Sequence, residues 1–286
     1  MNNPEVLIIP DVHGRTFWKD AINKFPKDKF PQLKIIFLGD YLDPYTFLDN
    51  ISNEDAFYNF EDIIHYAKSD SRIILLIGNH DWHYFVNLDN CRMDYARSRN
   101  IERIFRENMD MFSLIKILEF AGIKYMFTHA GITEGWVRDI MAMAQQEINE
   151  WKTNEEFPVK EEDPRYIWIS EVAKVGQTHN YEWVLNECLK NYNVNFYSCV
   201  PSMISRERGG WYPHGSLIWA DVHEHLYADK ELRGYYQIFG HTISFPQGNP
   251  KAYAISPEAK SWAMLDASQA FIMDFEGNIK SIEELN

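Results

Sequence analysis

Cysteine is scarce in this chain of 286 residues, which has only Cys91, Cys188 and Cys199. An odd number of widely separated cysteines argues against a disulfide framework and favours a reducing compartment, for which we expect the cytoplasm. Long apolar runs are also missing, since no stretch approaches the roughly 20 residues that a membrane-spanning helix needs. The first residues lack the basic start and the small-residue cleavage site of a secretory signal. We therefore expect no association with membranes.

Basic residues are outnumbered, with 28 Lys and Arg against 42 Asp and Glu and a formal net charge of −14. An acidic surface repels polyanions, so general binding to nucleic acid is not expected. Bound metal cations can invert the field locally, so charge alone does not exclude a nuclease. The hydrophobic fraction of 45% and the charged fraction of 24% are typical of a globular protein.

Short apolar runs alternate with amphipathic helical patterns in the first half of the chain, which is typical of βαβ units. Ser52 followed by Asp55 predicts a capping box at the start of one helix. The pattern after Tyr235 is β-rich and favours mostly antiparallel strands. The predicted strands are residues 6–10, 35–38, 72–77 and 123–128 in the first half, and 236–239, 251–255, 262–265 and 271–275 in the second.

Residues 135–205 carry four tryptophans on helical patterns and predict a helical insertion. The aromatic side chains are expected to fill the core of this small subdomain, with base stacking or substrate contact as the alternative for one or two of them. No repeat or low-complexity linker divides the rest of the chain. We therefore expect a single α/β domain over residues 1–286.

Five polar motifs come directly after predicted strands. Because open α/β sheets place their ligand sites at the carboxyl ends of strands, these motifs are expected to meet in space. Their oxygen and nitrogen donors, without thiolate, suit divalent Mn, Fe, Zn or Co. The motifs are Asp11-Val12-His13-Gly14, Gly39-Asp40-Tyr41-Leu42-Asp43, Gly78-Asn79-His80-Asp81, His129-Ala130-Gly131 and Phe239-Gly240-His241-Thr242.

These motifs, in this order, resemble the calcineurin-like metallophosphoesterase superfamily. The segments 78–81, 129–133 and 217–221 are most similar to the branch of serine/threonine protein phosphatases and bacterial diadenosine tetraphosphatases. The resemblance implies a two-sheet β-sandwich flanked by helices. The helical insertion at about 135–205 has no counterpart in it.

The resemblance also implies a site for two divalent metal ions, with Mn as the first expectation and Fe, Zn or Co as alternatives. A hydroxide between the two ions would attack the phosphorus atom. Asp40 would bridge both ions. The remaining ligands would be Asp11 and His13 for the first ion, and Asn79, His129 and His241 for the second.

His80 is implied as the general acid that protonates the leaving oxygen, with Asp43 orienting its ring. Asp81 is expected to brace the same turn. His83 lies just past it and could line the site, although a surface or capping position is preferred.

Two features depart from the family pattern. Thr242 stands where many members have a second His ligand, which makes a nuclease or a cyclic-nucleotide phosphodiesterase less favoured. Pro44 and Tyr45 stand where the related phosphatases have an Arg-Gly pair whose Arg binds phosphate. Arg208, with Arg206 second, is the predicted substitute because the Gly pair at 209–210 permits close approach to an anion. An ordinary surface loop is the equally weighted alternative.

The predicted function is metal-dependent hydrolysis of a phosphomonoester, either a phosphoprotein or a small phosphorylated metabolite. Hydrolysis of a phosphoanhydride, such as a dinucleoside polyphosphate, is the alternative, since the same site cleaves either bond. A catalytically silent metal-binding interaction module is a third hypothesis. Broken ligand sets would favour that hypothesis, but all six ligands and His80 are present.

Overall fold

The computed structural model describes residues 4–86, 92–153, 159–228, 232–242, 254–255 and 261–285. Cys91 and residues 251–253 of one predicted strand lie outside these ranges. The chain divides into two compact units, one formed by residues 1–131 with 234–286 and the other by residues 132–233. Among the described residues, no helix combines the length and the apolar character that crossing a membrane requires.

The first unit contains two sheets. One has six strands in the order β11-β10-β1-β2-β3-β4. Strands β1 to β4 run parallel, whereas β10 is antiparallel to both β1 and β11. The bounds are β1 Pro4–Ile9, β2 Lys34–Phe37, β3 Ile73–Leu76, β4 Phe112–Ser113, β10 Phe271–Asp274 and β11 Ile279–Ser281.

The second sheet has five strands in the order β5-β6-β7-β9-β8. The expectation of mostly antiparallel strands after Tyr235 holds for the pairings β1–β10, β10–β11 and β8–β9. It is wrong for β7, which pairs in parallel with both β6 and β9. Parallel neighbours need a long crossover connection, and all of residues 132–233 lie between β6 and β7. The bounds are β5 Ile115–Phe120, β6 Ile123–Thr128, β7 Tyr236–Phe239, β8 Ala254–Ile255 and β9 Trp262–Met264.

One hydrophobic core joins the two sheets. Val6 and Ile8 of β1 share it with Phe127 of β6 and Ile238 of β7, and all four side chains are fully buried. Full burial of each such side chain contributes about 1.5–3 kcal/mol. This packing confirms the predicted sandwich of two sheets and fixes the strand ends of both sheets relative to each other.

Helices flank the sheets of the first unit. The predicted capping box is present at the longest of them, where the Ser52 hydroxyl accepts from the Asp55 backbone N–H and the Asp55 carboxylate accepts from the Ser52 backbone N–H. The α-helices are α1 Phe17–Lys24, α2 Thr46–Asp49, α3 Asn53–Ser69, α4 Asn79–Val86 and α5 Ser98–Glu107, with 3-10 turns at Met109–Met111 and Ile282–Leu285.

The second unit is helical where it is described, as residues 135–205 predicted. Trp136 and Trp168 are buried in it and belong to a local core, whereas Trp151 is half-buried and Trp183 is 39% exposed. Its helices are α6 Glu134–Thr153, α7 Pro164–Val172, α8 Val175–Thr178, α9 Tyr181–Lys190 and α10 Asn195–Cys199, followed by a 3-10 turn at Arg206–Arg208 and a π-helical turn at Glu224–Ala228.

Candidate metal centre

The predicted site residues of the first unit lie at the carboxyl ends of strands in both sheets. Strands β1, β2 and β3 are adjacent and parallel, as are β6 and β7, so within each sheet these ends lie at one edge. Eight predicted site residues are joined by the contacts described below. These residues are Asp11 and His13 after β1, Asp40 and Asp43 after β2, Asn79 and His80 after β3, His129 after β6 and His241 after β7.

Asp40 lies at the centre of this cluster. Its Oδ2 is 3.5 Å from His13 Nε2 and 3.5 Å from His129 Nε2. Its Oδ1 accepts the backbone N–H of His80 at 2.8 Å. Its own backbone N–H donates to Asp81 Oδ2 at 2.7 Å, so Asp81 braces the turn as expected. These bonds orient the carboxylate so that one oxygen faces two imidazoles.

Asp11, His13 and Asp40 form a first group of donors. All three are buried, and one ligand atom from each lies within 4.8 Å of the others. The Nδ1–H of His13 donates to the backbone carbonyl of Leu42 at 2.9 Å, which leaves the Nε2 lone pair directed at the carboxylates. Metal-binding histidines are commonly oriented by such a bond through their second nitrogen.

Asp40, His129 and His241 form a second group within the same 4.8 Å limit. The Nδ1–H of His129 donates to the carbonyl of Leu38 at 2.9 Å. The Nε2 of His129 then lies 2.9 Å from Asn79 Oδ1 and 3.1 Å from His241 Nδ1. Asp40 is therefore common to two donor groups.

The atoms around His129 Nε2 fit a bound cation. With the ring proton on Nδ1, this nitrogen carries a lone pair, and Asn79 Oδ1 and Asp40 Oδ2 beside it are acceptors. Such lone pairs repel each other unless positive charge lies among them. Ligand atoms about 2.0–2.2 Å from one ion lie about 3 Å or slightly more from each other, as they do here. The donor set thus fits divalent Mn, Fe, Zn or Co.

Burial and local charge favour the forms of these side chains that bind metals. Burial lowers the pKa of His13 to about 3, so its imidazole is neutral. Burial acts to raise the pKa of Asp40, but the neighbouring imidazoles and the backbone N–H of His80 outweigh it and lower that pKa to about 2. Burial raises the pKa of Asp11 to about 6. At neutral pH, Asp11 and Asp40 therefore offer carboxylates and His13 offers an unprotonated imidazole nitrogen to a metal ion.

Four predicted site residues have a left-handed backbone conformation. They are His13, Asp40, Asp43 and His241, with φ of 45°, 52°, 56° and 67°. Eight non-glycine residues in the described part of the chain have positive φ, so half of these lie among the predicted site residues. This conformation is unfavourable for residues with a Cβ and concentrates at functional sites.

Two glycines allow the backbone to approach the site carboxylates closely. A Cβ added at Gly240 would lie 2.0 Å from Asp11 Oδ1, and one added at Gly78 would lie 2.2 Å from Asp40 Oδ1. Both distances are far inside van der Waals contact. Any side chain at these positions would displace a carboxylate from the cluster.

A second buried group surrounds Asp43. Its Oδ2 lies 2.9 Å from His80 Nδ1 and 3.1 Å from His83 Nε2, and its Oδ1 accepts the hydroxyl of Tyr84 at 2.6 Å. His83 is only 2% exposed, so the expected surface position is wrong, and the side chain lies against Asp43 instead. The spacing of three residues between His80 and His83, which puts both rings on one face of α4, was the available signal.

Sequence reasoning did not predict a role for Arg92 and Tyr45. Arg92 Nη2 donates to His80 Nε2 at 2.8 Å. The Arg92 Cζ lies 3.6 Å from the centroid of the Tyr45 ring, and that ring meets His13 edge-on with centroids 5.1 Å apart. No local sequence pattern marks Arg92, because its partners come from distant segments of the chain.

The predicted phosphate-binding arginines lie in the second unit. Arg206 and Arg208 form the 3-10 turn that ends at Gly209, which has a φ of 80°. The Arg208 Nε lies 2.8 Å from Asp221 Oδ2, so an acidic partner already faces this guanidinium. A substrate contact by Arg206 or Arg208 stays a prediction.

The chain is similar to two solved structures. One is a protein serine/threonine phosphatase from Saccharomyces cerevisiae with similarity to human phosphatase PP5, at 12% identity over 98% of this chain and 80% of that chain, with a TM-score of 0.42. The other is a phosphopantetheinyl hydrolase from Mycobacterium tuberculosis, at 14% identity over 93% of this chain and 89% of that chain, with a TM-score of 0.34. No curated protein sequence matches the chain.

Residues 4–245 match the family model of calcineurin-like phosphoesterases. The match covers strands β1 to β7 and all five polar motifs, which supply His and Asp groups able to bind metal. With well over half of its length matched, the chain belongs to the calcineurin-like phosphoesterase family, whose members are metal-dependent phosphoester hydrolases.

Proposed function

We propose that this protein hydrolyses phosphomonoesters at a site for two divalent metal ions. The observation that carries the proposal is the position of Asp40, whose Oδ2 is equally distant, at 3.5 Å, from His13 Nε2 and His129 Nε2. One carboxylate shared between two donor groups suits a pair of neighbouring ions.

The two donor groups divide the proposed ligands. Manganese is the proposed metal, and Fe, Zn and Co also suit the donors. When bound, the two ions would polarise the phosphoryl group and lower the pKa of the attacking water. The ligands would be Asp11, His13 and Asp40 for one ion, and Asp40, Asn79, His129 and His241 for the other.

His80 and Asp43 are proposed to handle the proton of the leaving group. Asp43 accepts from Nδ1 of His80, which fixes the ring and directs Nε2 away from the carboxylate. Nε2 is therefore the atom that would face the departing oxygen and, once protonated, deliver a proton to it. Tyr84 and His83 hold Asp43 in turn, so the imidazole is oriented through a buried chain of contacts.

The proposed substrate is a phosphoprotein or a small phosphorylated metabolite. The net charge of −14 disfavours long polyanions such as nucleic acids. Thr242 stands where many nucleases and cyclic-nucleotide phosphodiesterases of this superfamily have a further His ligand. The scarcity of cysteine, with three widely separated residues, supports the proposed cytoplasmic location.

A substrate panel tests this proposal. Purified protein is loaded with Mn, Fe, Zn or Co and assayed on a nitrophenyl monoester, a nitrophenyl diester, a phosphopeptide and a dinucleoside polyphosphate. The expected result is metal-dependent release of phosphate, fastest from a monoester, with two ions per chain by elemental analysis. Preference for the dinucleoside polyphosphate would replace the proposal with phosphoanhydride hydrolysis. Metal binding without any hydrolysis would indicate a silent interaction module.

A further inference from the structure

We propose that Arg92, stacked on Tyr45, is the guanidinium that binds the substrate's phosphate and favours monoester dianions over diesters. This inference rests on the proposed function, since it concerns the same site. Here Pro44 and Tyr45 follow Asp43, and the aromatic ring holds an arginine that comes from elsewhere in the chain.

The position of Arg92 puts its charge at the reacting end of the site. Its Nη2 lies 2.8 Å from Nε2 of His80, the atom proposed to face the leaving group. The ring of His80 in turn lies 5.2 Å from the ring of His13, a proposed metal ligand. A phosphate held by the metal ions and approached by His80 would therefore be within reach of this guanidinium.

The donors of Arg92 are available to an anion. Its Nη1 is buried and has no hydrogen-bond partner among the described residues. Its Nη2 is bonded to a ring nitrogen of His80, which is a weaker acceptor than a phosphate oxygen. A buried guanidinium donor without an acceptor is unfavourable, and two phosphate oxygens would satisfy both Nη atoms in the fork geometry that arginine prefers.

The other arginine beside Tyr45 differs in this respect. Arg15 also lies near the ring, with its Cζ 5.8 Å from the centroid. However, its Nε and Nη2 both contact Asp49 Oδ2, at 3.0 and 2.7 Å. Arg15 is therefore already neutralised by a carboxylate, whereas Arg92 donates to an imidazole.

Tyr45 provides a platform that leaves the edge of the guanidinium open. The Arg92 Cζ is 3.6 Å from the ring centroid, which is stacking distance. Stacking uses the face of the guanidinium and keeps the in-plane N–H groups free for hydrogen bonds. The ring thus fixes the position of the guanidinium and leaves its N–H groups available for hydrogen bonds.

This cation discriminates between substrate classes by charge. A phosphomonoester carries nearly two negative charges at neutral pH, whereas a diester carries one and has one non-bridging oxygen fewer. Loss of Arg92 is therefore expected to weaken the use of monoesters more than the use of diesters.

The test compares Arg92→Ala and Arg92→Lys with Arg99→Ala, an exposed arginine of α5, as the matched control. Binding of inorganic phosphate to the metal-loaded protein is measured by calorimetry, alongside metal content. We expect Arg92→Ala to weaken phosphate binding about 10- to 100-fold, with unchanged metal content. Arg92→Lys should recover part of the loss, because lysine keeps the charge but not the fork. Arg99→Ala should bind phosphate like the unaltered protein.

Two further measurements separate the possible roles. The ratio of kcat/KM for a nitrophenyl diester to that for a nitrophenyl monoester should rise about 10-fold or more in Arg92→Ala. Tyr45→Ala should weaken phosphate binding, whereas Tyr45→Phe, which keeps the ring, should not. Unchanged phosphate affinity in Arg92→Ala and Arg92→Lys would overturn the proposal and leave Arg92 as a residue that only positions His80.

Failure of the proposed function would look different. If the loaded protein hydrolyses no phosphoester, the phosphomonoesterase proposal fails. The phosphate affinities of the Arg92 variants still show whether Arg92 binds phosphate in that case, because calorimetry measures binding without turnover.

Discussion

Asp40 Oδ2 lies 3.5 Å from Nε2 of His129 and 3.5 Å from Nε2 of His13. The two histidines belong to different donor groups, so this one oxygen faces both groups. We expect Asp40→Asn to reduce the metal content of both sites, because an amide lacks the negative charge that two cations share. Elemental analysis after dialysis measures this. Asp28→Asn, at an exposed position, is the control and should retain both ions. An Asp40→Asn protein that still holds two ions would contradict the shared-ligand assignment.

His80 is placed to act on the leaving group without being a ligand. We expect His80→Ala to keep its metal ions and to slow hydrolysis of an alkyl phosphate by about 10²–10⁴-fold, the usual effect of losing a general acid. A nitrophenyl phosphate should slow much less, since nitrophenolate leaves without a proton. Steady-state kinetics on both substrates, with metal analysis, checks this. Equal slowing of the two substrates, or loss of metal, would exclude the assigned role.

Tyr84 acts on His80 through Asp43. The Tyr84 hydroxyl donates to Asp43 Oδ1 at 2.6 Å, and a hydrogen bond to a charged group contributes about 1.5–3 kcal/mol. We expect Tyr84→Phe to lower kcat for an alkyl phosphate about 10-fold while KM and metal content stay nearly constant. Tyr58→Phe, at an exposed tyrosine, is the control. A similar loss with a nitrophenyl ester would indicate general destabilisation instead.

The close approach of Gly240 to Asp11 predicts that even a methyl group is not tolerated. A Cβ there would lie 2.0 Å from Asp11 Oδ1, so Gly240→Ala should displace that carboxylate and reduce the occupancy of the first metal site. Metal titration followed by calorimetry measures the loss. Gly176→Ala is the control, since its Cβ would meet the flexible side chain of Met141 at 2.9 Å. Equal metal affinity in both variants would show that the turn can adjust.

Arg92 and Arg208 are alternative candidates for the arginine that binds the phosphate of the substrate. Arg208 Nε already lies 2.8 Å from Asp221 Oδ2, whereas Arg92 Nη1 has no hydrogen-bond partner in the described part of the chain. We therefore expect Arg208→Ala to weaken phosphate binding less than Arg92→Ala does. Calorimetry with inorganic phosphate on the two loaded variants gives the order directly. The reverse order would favour the arginine predicted from the sequence.

Much of the first unit could be predicted because its signals are local. Strands β1, β2, β3, β6 and β7 each follow from a short apolar run, and their predicted bounds agree with the observed ones to within two residues. The polar motif after each run needs no knowledge of distant contacts, since parallel strands bring their carboxyl ends to one edge. Even the helix start at Ser52 is encoded by two residues three apart.

The parallel direction of β7 was not visible in the sequence. Its residues 236–239 read as a strand, but direction depends on which neighbours it meets. One neighbour, β6, precedes it by more than 100 residues, and the other, β9, follows it after a gap. A strand's own pattern specifies which faces are buried and carries no information on the direction of its partner.

The sequence by itself determined the fold class, the five strand-end motifs and the types of donor atom at the site. Only the tertiary structure decided that Asp40 faces two imidazoles with a single oxygen, that His83 is buried against Asp43, and that Arg92 stacks on Tyr45. Hydrophobic periodicity is a property of residues close together in the chain, so it can be recognised in the sequence alone. A side-chain contact between segments far apart in sequence exists only once the two sheets have packed and brought their strand ends together.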